Sequence, residues 1–476
     1  MPAGKAGTKG EVGKLGKAKR QTDAGAAKTV AKALTLGDVK RLEEELRESK
    51  TALNNLLALV EAARGAGAGA AAGEEAWKVQ MAALLALCRS CSRLMESGDL
   101  VPPGCVRRKE AAKGLNRQEI KASQDKLAVW MAGTYKEVVK VALDLVQGEH
   151  VKGQLVGMRA VMGLVAREAE TATEMGCAQH VWTDGLFPAL VAAMLGSTHM
   201  SQQLLRSFAE RYLDLYGDVR YYAWRAVSAF AVQKLCKEED ATGLPAHGVA
   251  MARNAYDLLC LLTVPEAEER KTGKGDEKRV VQVVAMERLV ASSGAPSSST
   301  HAASEVGDAH TEGENRGRKR CKGSGVDLTS KSTYCKAFSD AWVALMRVEL
   351  PGDVLKSILS RLHTDILPHM TQPLLLADIL TVCYDRGGIL AVLSLHGLFA
   401  LIQNNNLEYA AFYRKLYALL DASVFHVRHR ARVLKLMEAC LKTPLLPAAV
   451  IAAFIKRLAR LALASPTTGR SLLTLQ

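Results

Sequence analysis

The chain has 476 residues, of which 49% are hydrophobic and 5% aromatic, with 13 prolines and a formal net charge of +14. This length can bury a large core, and the shortage of aromatic residues argues against a β-sandwich and favours Ala/Leu-rich helices. The excess of positive charge disfavours a small acidic substrate and favours an extended acidic partner, such as RNA or an acidic protein face.

Residues 1–35 form a Gly-, Ala- and Lys-rich segment that predicts a disordered basic tail. Lys17, Lys19 and Arg20 are candidates for a nuclear or nucleolar targeting signal, and a solubilising extension is an equally good interpretation. The tail has no apolar core of a secretion signal, so we expect an intracellular chain with mostly reduced cysteines.

Residues 36–64 predict a coiled-coil-like helix. Apolar side chains recur at nearly seven-residue spacing, interrupted at Ser49: Val39, Leu42, Leu46, Leu53, Leu56 and Val60. A Gly/Ala linker follows at 65–76.

Residues 77–264 contain a series of amphipathic helical patterns with short connections and no strand signals, which predicts an N-terminal helical repeat region. The expected fold is all-α, an α-solenoid of HEAT/armadillo-like helical hairpins. Cys88 and Cys91 form a CxxC, but the second pair of a zinc ribbon is missing. We interpret both as apolar fillers of a helix and expect no metal site.

Residues 265–333 are too polar to form a packed core and predict a disordered linker or insertion. Arg318, Lys319 and Arg320 within it form a second candidate targeting patch, with a plain solvated run as the alternative. A second all-α domain is expected at 334–466, followed by a tail at 467–476. Its most apolar run, 389–402, contains Ser394 and His396 and falls short of the roughly 18 residues that span a bilayer.

No catalytic or cofactor motif is present: the chain lacks a phosphate-binding GxxxxGK[ST] loop, HExxH, GxSxG and paired CxxC motifs. Five histidines in the last block are the obvious acid/base candidates, but none is accompanied by a recognisable nucleophile or carboxylate pair. They are His363, His369, His396, His426 and His429. We therefore expect packed or surface histidines and a protein that is not an enzyme and holds no cofactor.

Two segments near the C-terminus predict helices with one basic face, at about 100° of rotation per residue. Between positions 427 and 460 there are eight basic side chains and one acidic side chain. The candidate binding residues for nucleic acid or a partner are Arg428, Arg432, Lys435, Lys456 and Arg460. If the two helices stack, these cations would form one surface suited to an RNA backbone, with a merely solvated face as the alternative.

Four residues of this block have a predicted structural role. Arg430 falls on the apolar side of its helix, where an unpaired guanidinium is costly, so we expect a carboxylate partner such as Asp421 or Asp378. Tyr409, Phe412 and Tyr413 recur at helical spacing and predict core packing, with an RNA-stacking platform as the alternative.

The same block resembles the CBF/Mak21 domain family. The resemblance rests on NLEY (406–409), FYRKLYALL (412–420), FHVRHRAR (425–432) and AAFIKRLARLAL (452–463). It implies a nucleolar, non-enzymatic assembly factor for the small ribosomal subunit. The implied partners are a nucleolar protein 14-like protein, other components of the small-subunit processome and pre-ribosomal RNA.

The chain departs from the family pattern at two places. Ala410 stands where the family has proline in NLEYP, and the family continues with further helices after the position of Ala464. We expect contacts that depend on those helices to be missing here. Two other functions stay open: a CBF-type DNA-binding transcription factor, for which no helix-turn-helix or zinc finger is present, and an importin-like adaptor, which would need an acidic inner face.

Overall fold

A computed structural model describes residues 34–65, 74–102, 126–174, 179–236, 245–265, 328, 330–409, 411–421, 430–442 and 446–464. Within these ranges every regular element is a helix and no strand is present. The predicted all-α fold is confirmed. Most of the predicted basic tail and linker lies outside the described residues.

In the described residues of the N-terminal half there are ten α-helices. Their bounds are α1 Leu36–Glu48, α2 Asn55–Arg64, α3 Glu74–Glu96, α4 Lys126–Gln147, α5 Val151–Glu174, α6 Gln179–Thr183, α7 Leu186–Leu195, α8 Gln202–Phe208, α9 Gly217–Phe230 and α10 Ala246–Leu261. A 3₁₀ segment, Lys50–Asn54, separates α1 from α2, and π-helical turns extend α8 and α9.

The C-terminal half follows the same pattern. Its helices are α11 Lys331–Met346, α12 Gly352–Arg361, α13 Ala377–Asp385, α14 Gly388–Asn405, α15 Phe412–Ala418, α16 Arg430–Leu441 and α17 Ala448–Ala464. A π-helical turn, Leu362–Ile366, continues α12 directly.

The helix predicted over 36–64 is divided into two by the structure. Thr35 caps α1 through a capping box with Asp38, and the helix stops at Ser49, whose backbone is extended (φ −137°, ψ 128°). Serine favours such ends because its hydroxyl competes with helical hydrogen bonding. Both α1 and α2 pack on α3, so their apolar residues serve packing within the chain.

Successive helices pack on one another as a solenoid of hairpins, as predicted. Helix α3 contacts α5, α4 contacts α5 and α7, α7 contacts α9, and α9 contacts α11. The α4/α5 hairpin is especially close at Gly157, where an added Cβ would lie 2.9 Å from the Ala142 carbonyl oxygen. A side chain there would separate the two helices.

An aromatic cluster joins the two halves of the molecule. Trp224 on α9 is fully buried, and its ring lies 5.8 Å from Phe338 and 6.3 Å from Tyr334, both on α11. Trp342 continues the cluster towards Tyr256 on α10 at 6.5 Å. Residues more than a hundred positions apart therefore share one hydrophobic core.

Helix α14 is the central helix of the C-terminal half. It packs on α12, α13 and α16. In the part of the chain that the structure describes, it is the one helix long and apolar enough to cross a membrane, and 50% of that stretch is buried inside the protein. Such burial is what a core helix of a folded domain shows.

Candidate nucleic-acid interface

The tyrosines and phenylalanine with a predicted structural role hold α15 against α14. Phe412 is 1% exposed, and its ring stacks on Phe399 at 5.8 Å and meets Tyr413 edge-on at 5.3 Å. Tyr409 is half-buried and packs against the same core. These rings are occupied by protein contacts, which leaves Phe412 no face for a base.

A second anchor of α15 has no signal in the sequence. The Tyr384 hydroxyl, on α13, donates a hydrogen bond to the Lys415 carbonyl at 3.1 Å. The Lys415 Nζ lies 4.4 Å from the centre of the Tyr384 ring and 3.6 Å from the Asp385 carboxylate. A cation over an aromatic face is attractive, so this group fixes α15 on α13.

Helix α16 turns an apolar face to α14 and a basic face to solvent. Val433, Leu434, Met437 and Cys440 are buried, and Arg432 and Lys435 are exposed. Because the helix advances about 100° per residue, burying one set directs the other outward. Burial also raises the pKa of the Cys440 thiol to about 12, so this cysteine is a packing residue.

Helix α17 also buries an apolar face, which packs on the end of α15, and exposes a basic face. Phe454 is buried against the Tyr417 ring at 5.4 Å. Arg457 donates from Nε to the Leu420 carbonyl at 3.0 Å, and its guanidinium lies 5.5 Å from the centre of the Tyr417 ring. Arg457 therefore orients the helix, while its neighbours Lys456 and Arg460 are exposed.

We call the four exposed cations Arg432, Lys435, Lys456 and Arg460 the basic ridge. Among the described residues none of the four lies within 4 Å of a carboxylate. Lys442, by contrast, pairs with Glu438. The ridge lies on two helices that pack on different neighbours. Helix α16 packs on α14, and α17 packs on α15. That the two parts act as one surface stays a prediction.

A pair of histidines lies beside the ridge. The rings of His363, on the π-helical turn after α12, and His396, on α14, are 4.3 Å apart between centroids. Burial and the charge of Arg432 lower the pKa of His363, and burial, His363 and Arg432 lower the pKa of His396 to about 4. The His396 imidazole is therefore neutral at physiological pH, and the shift of the His363 pKa favours its neutral form as well. Their spacing of 33 residues along the chain carried no sequence signal.

The remaining predicted residues are placed as follows. His369 is half-buried, with its ring 5.9 Å from Phe338. Arg428, the Arg430 side chain, His426 and His429 lie outside the described residues, as do the two targeting patches of Lys17, Lys19 and Arg20 and of Arg318, Lys319 and Arg320. The expected carboxylate partner of Arg430 stays a prediction.

The CxxC is part of the core of α3. Cys88 and Cys91 are both buried, and burial raises the pKa of Cys88 to about 12. Across the described ranges, no group of three or more His, Cys, Asp or Glu side chains could hold a metal ion.

Two family models match the chain in different regions. The model described as "Nucleolar complex protein 4-like, TPR repeats" matches residues 31–237, and the model of the CBF/Mak21 family matches residues 391–475. The first covers most of the N-terminal helical hairpins, and the second covers α15, α16, α17 and nearly all of α14.

Curated relatives from animals and a plant are similar to the chain. The Nucleolar complex protein 4 homolog of Gallus gallus is 28% identical over 80% of this chain and 66% of its own length. That of Homo sapiens is 30% identical over 79% of this chain and 64% of its own length. Protein NUCLEOLAR COMPLEX ASSOCIATED 4 of Arabidopsis thaliana is 42% identical over 33% of this chain and 28% of its own length.

The chain thus spans at most about two thirds of the length of these relatives. The first matched region includes Trp224 of the aromatic cluster, the second begins after Phe338, and the animal relatives carry the name that the first model prints. The chain is thus similar to the nucleolar complex protein 4 homologues of animals over about four fifths of its length, and its C-terminal part matches the CBF/Mak21 family model.

Proposed function

We propose that the chain is a non-enzymatic nucleolar factor for ribosome biogenesis, and that it acts in assembly of the small subunit as a helical scaffold. It binds pre-ribosomal RNA through the basic ridge and a protein partner through its helical surfaces. The partner expected from the family resemblance is a nucleolar protein 14-like protein within the small-subunit processome.

One observation supports the RNA-binding part of this proposal above others. Arg432, Lys435, Lys456 and Arg460 are exposed and unpaired within the described residues, on helices whose other faces are buried. Arginine and lysine in this state bind phosphate oxygens and release counterions from RNA. The core position of Phe412 favours backbone contact over base stacking as the main mode of recognition.

The RNA interaction is tested by measuring binding of the full chain to a structured RNA between 50 and 300 mM salt by fluorescence anisotropy. The variant Arg432→Gln/Lys456→Gln/Arg460→Gln removes three phosphate contacts. Each contact contributes about 0.7 to 0.9 to the slope of log K against log salt, so we expect the magnitude of the slope to fall by about two to three.

The matched control removes three exposed cations elsewhere, in Lys136→Gln/Lys140→Gln/Lys152→Gln on α4 and α5. It has the same net charge as the ridge variant, and we expect a slope close to that of the unmodified chain. Equal losses in the two variants would reject the ridge as the binding site. Stronger binding to duplex DNA than to RNA in competition would instead favour a DNA-binding factor.

The protein interaction is tested by purifying the tagged chain from cells and identifying what accompanies it. We expect the nucleolar protein 14-like partner and pre-ribosomal RNA. If neither is recovered, while the tagged chain is folded and nuclear, the assembly role is rejected.

A further inference from the structure

Close packing between α14 and the turn after α12 places His363 and His396 together. Next to His396, an added Cβ on Gly397 would lie 2.8 Å from the Cδ2 atom of Leu362, which precedes His363. This absence of a side chain lets the turn approach the helix, and the two rings meet at 4.3 Å between centroids. The pairing thus follows from the fold of the core.

The charged groups that act on His363 and His396 favour the binding of an anion beside the two rings. Arg432 of α16 acts on both rings and His363 acts on His396, and among the described residues Asp365, on the same turn as His363, is the one acidic group acting on the His363 ring. The Asp365 carboxylate is already hydrogen-bonded to Arg361 at 2.7 Å. Within the described part of the chain, neither imidazole has a hydrogen-bond partner.

Two adjacent, tilted imidazoles near a guanidinium repel one another once protonated. An anion at the edges of the two rings and near the guanidinium would accept hydrogen bonds from both protonated rings and from the arginine, and would offset this repulsion. The half-buried position of the rings would strengthen those hydrogen bonds relative to an exposed site.

We propose that His363, His396 and Arg432 form a binding site for one phosphate group of an RNA backbone. The assignment of the phosphate to RNA rests on the function proposed above, whereas the phosphate site itself stands on the three side chains. It adds to the ridge a contact whose strength depends on pH.

The sign of the pH dependence follows from linkage. In the free protein, burial and Arg432 hold the pKa of both histidines below the usual value. A bound phosphate favours the charged imidazolium and raises these pKa values, so binding takes up protons and strengthens as the pH falls. A rise of one pKa unit gives about a tenfold gain in affinity at pH values below both the free and the bound pKa, and a smaller gain above them.

The test measures RNA affinity of the full chain at pH 5.5 and pH 8.0 at constant ionic strength. We expect several-fold tighter binding at pH 5.5 for the unmodified chain, because this pH still lies above the free pKa of His396, about 4. His363→Gln and His396→Gln should lose most of this difference, while His247→Gln, which replaces an exposed histidine on α10, should retain it.

A second measurement reports the site without RNA. In the chain labelled at histidine, the NMR signals of His363 and His396 are titrated with pH in the presence of inorganic phosphate and of chloride at matched ionic strength. Phosphate should raise both pKa values. Arg432→Gln should raise them in the free protein and reduce the effect of phosphate, which a purely structural role would not do.

The outcomes separate this site from the proposed function. If RNA binds but the two histidine variants keep the full pH dependence, the phosphate site is rejected and RNA binding by the ridge stands. If RNA does not bind but phosphate moves both signals, the site stands and the proposed function fails. If RNA does not bind and phosphate does not move the signals, both are rejected.

Discussion

A single carboxyl group is the most unusual residue in the N-terminal core. Glu168 on α5 is 6% exposed and accepts a hydrogen bond from the Tyr135 hydroxyl of α4 at 2.7 Å. Burial raises the pKa of Glu168 to about 7, against a lowering contribution from Tyr135. The carboxyl is therefore largely protonated in slightly acidic solution.

This shift makes stability depend on pH. The folded-state pKa of Glu168 lies above the usual value of 4.5. The protonated carboxyl therefore makes its full contribution to the free energy of unfolding below pH 4.5, and this contribution is lost as the pH rises towards 7. Glu168→Gln keeps the acceptor for Tyr135 and has no charge to bury. We expect it to stabilise the chain at pH 8, by up to about 3 kcal/mol, with little effect at pH 4.5.

Thermal unfolding at the two pH values measures the effect. Glu174→Gln, an exposed substitution on the same helix, is the control and should leave the pH dependence unchanged. An unchanged pH dependence in Glu168→Gln would show that the carboxyl is not the source.

At the scale of elements, two glycines on α5 have opposite roles. Gly157 faces α4, where a Cβ would lie 2.9 Å from the Ala142 carbonyl oxygen and 3.0 Å from Val146 Cγ2, whereas a Cβ on Gly163 would meet nothing within 4 Å. The first glycine permits close helix packing, and the second only weakens the helix.

We expect the same substitution to act in opposite directions at these positions. Gly157→Ala should destabilise by about 1–3 kcal/mol, because the nearby backbone oxygen cannot move aside as a side chain could. Gly163→Ala should stabilise by about 0.5–1 kcal/mol through helix propensity. Comparison of the two melting temperatures checks this, and a shift of the same sign in both would contradict it.

For the whole molecule, the aromatic cluster decides whether the two halves unfold together. Trp224 is fully buried against Tyr334 and Phe338, and its indole N–H has no hydrogen-bond partner among the described residues. Its contribution is therefore packing alone, and it connects α9, within the first matched region, to α11 of the C-terminal half.

Two substitutions of this tryptophan separate packing from polarity. Trp224→Ala should cost about 3–5 kcal/mol through the cavity it leaves. Trp224→Phe retains a ring and removes the unpaired N–H, so we expect it to cost clearly less. Calorimetry measures both, and the alanine variant should also separate the unfolding of the two halves. Equal costs would show that ring packing is not what joins them.

Much of the fold could be predicted from local pattern. Helical periodicity was sufficient for the all-α class, and the outward position of Arg432, Lys435, Lys456 and Arg460 is where the spacing of Leu434, Met437 and Phe454 puts them. The division at Ser49 was visible as a gap in the seven-residue repeat, although the repeat suggested one helix. Periodicity reports which face is buried, not which neighbour buries it.

The sequence by itself determined the helical class, the apolar and basic faces of α16 and α17 and the absence of known catalytic motifs, because these depend on residues within a few turns of one another. Only the tertiary structure decided that His396 meets His363, that Tyr384 fastens Lys415 and that Trp224 lies against Phe338. Such contacts join residues 31 to 114 positions apart, and they depend on which helices pack together and how closely.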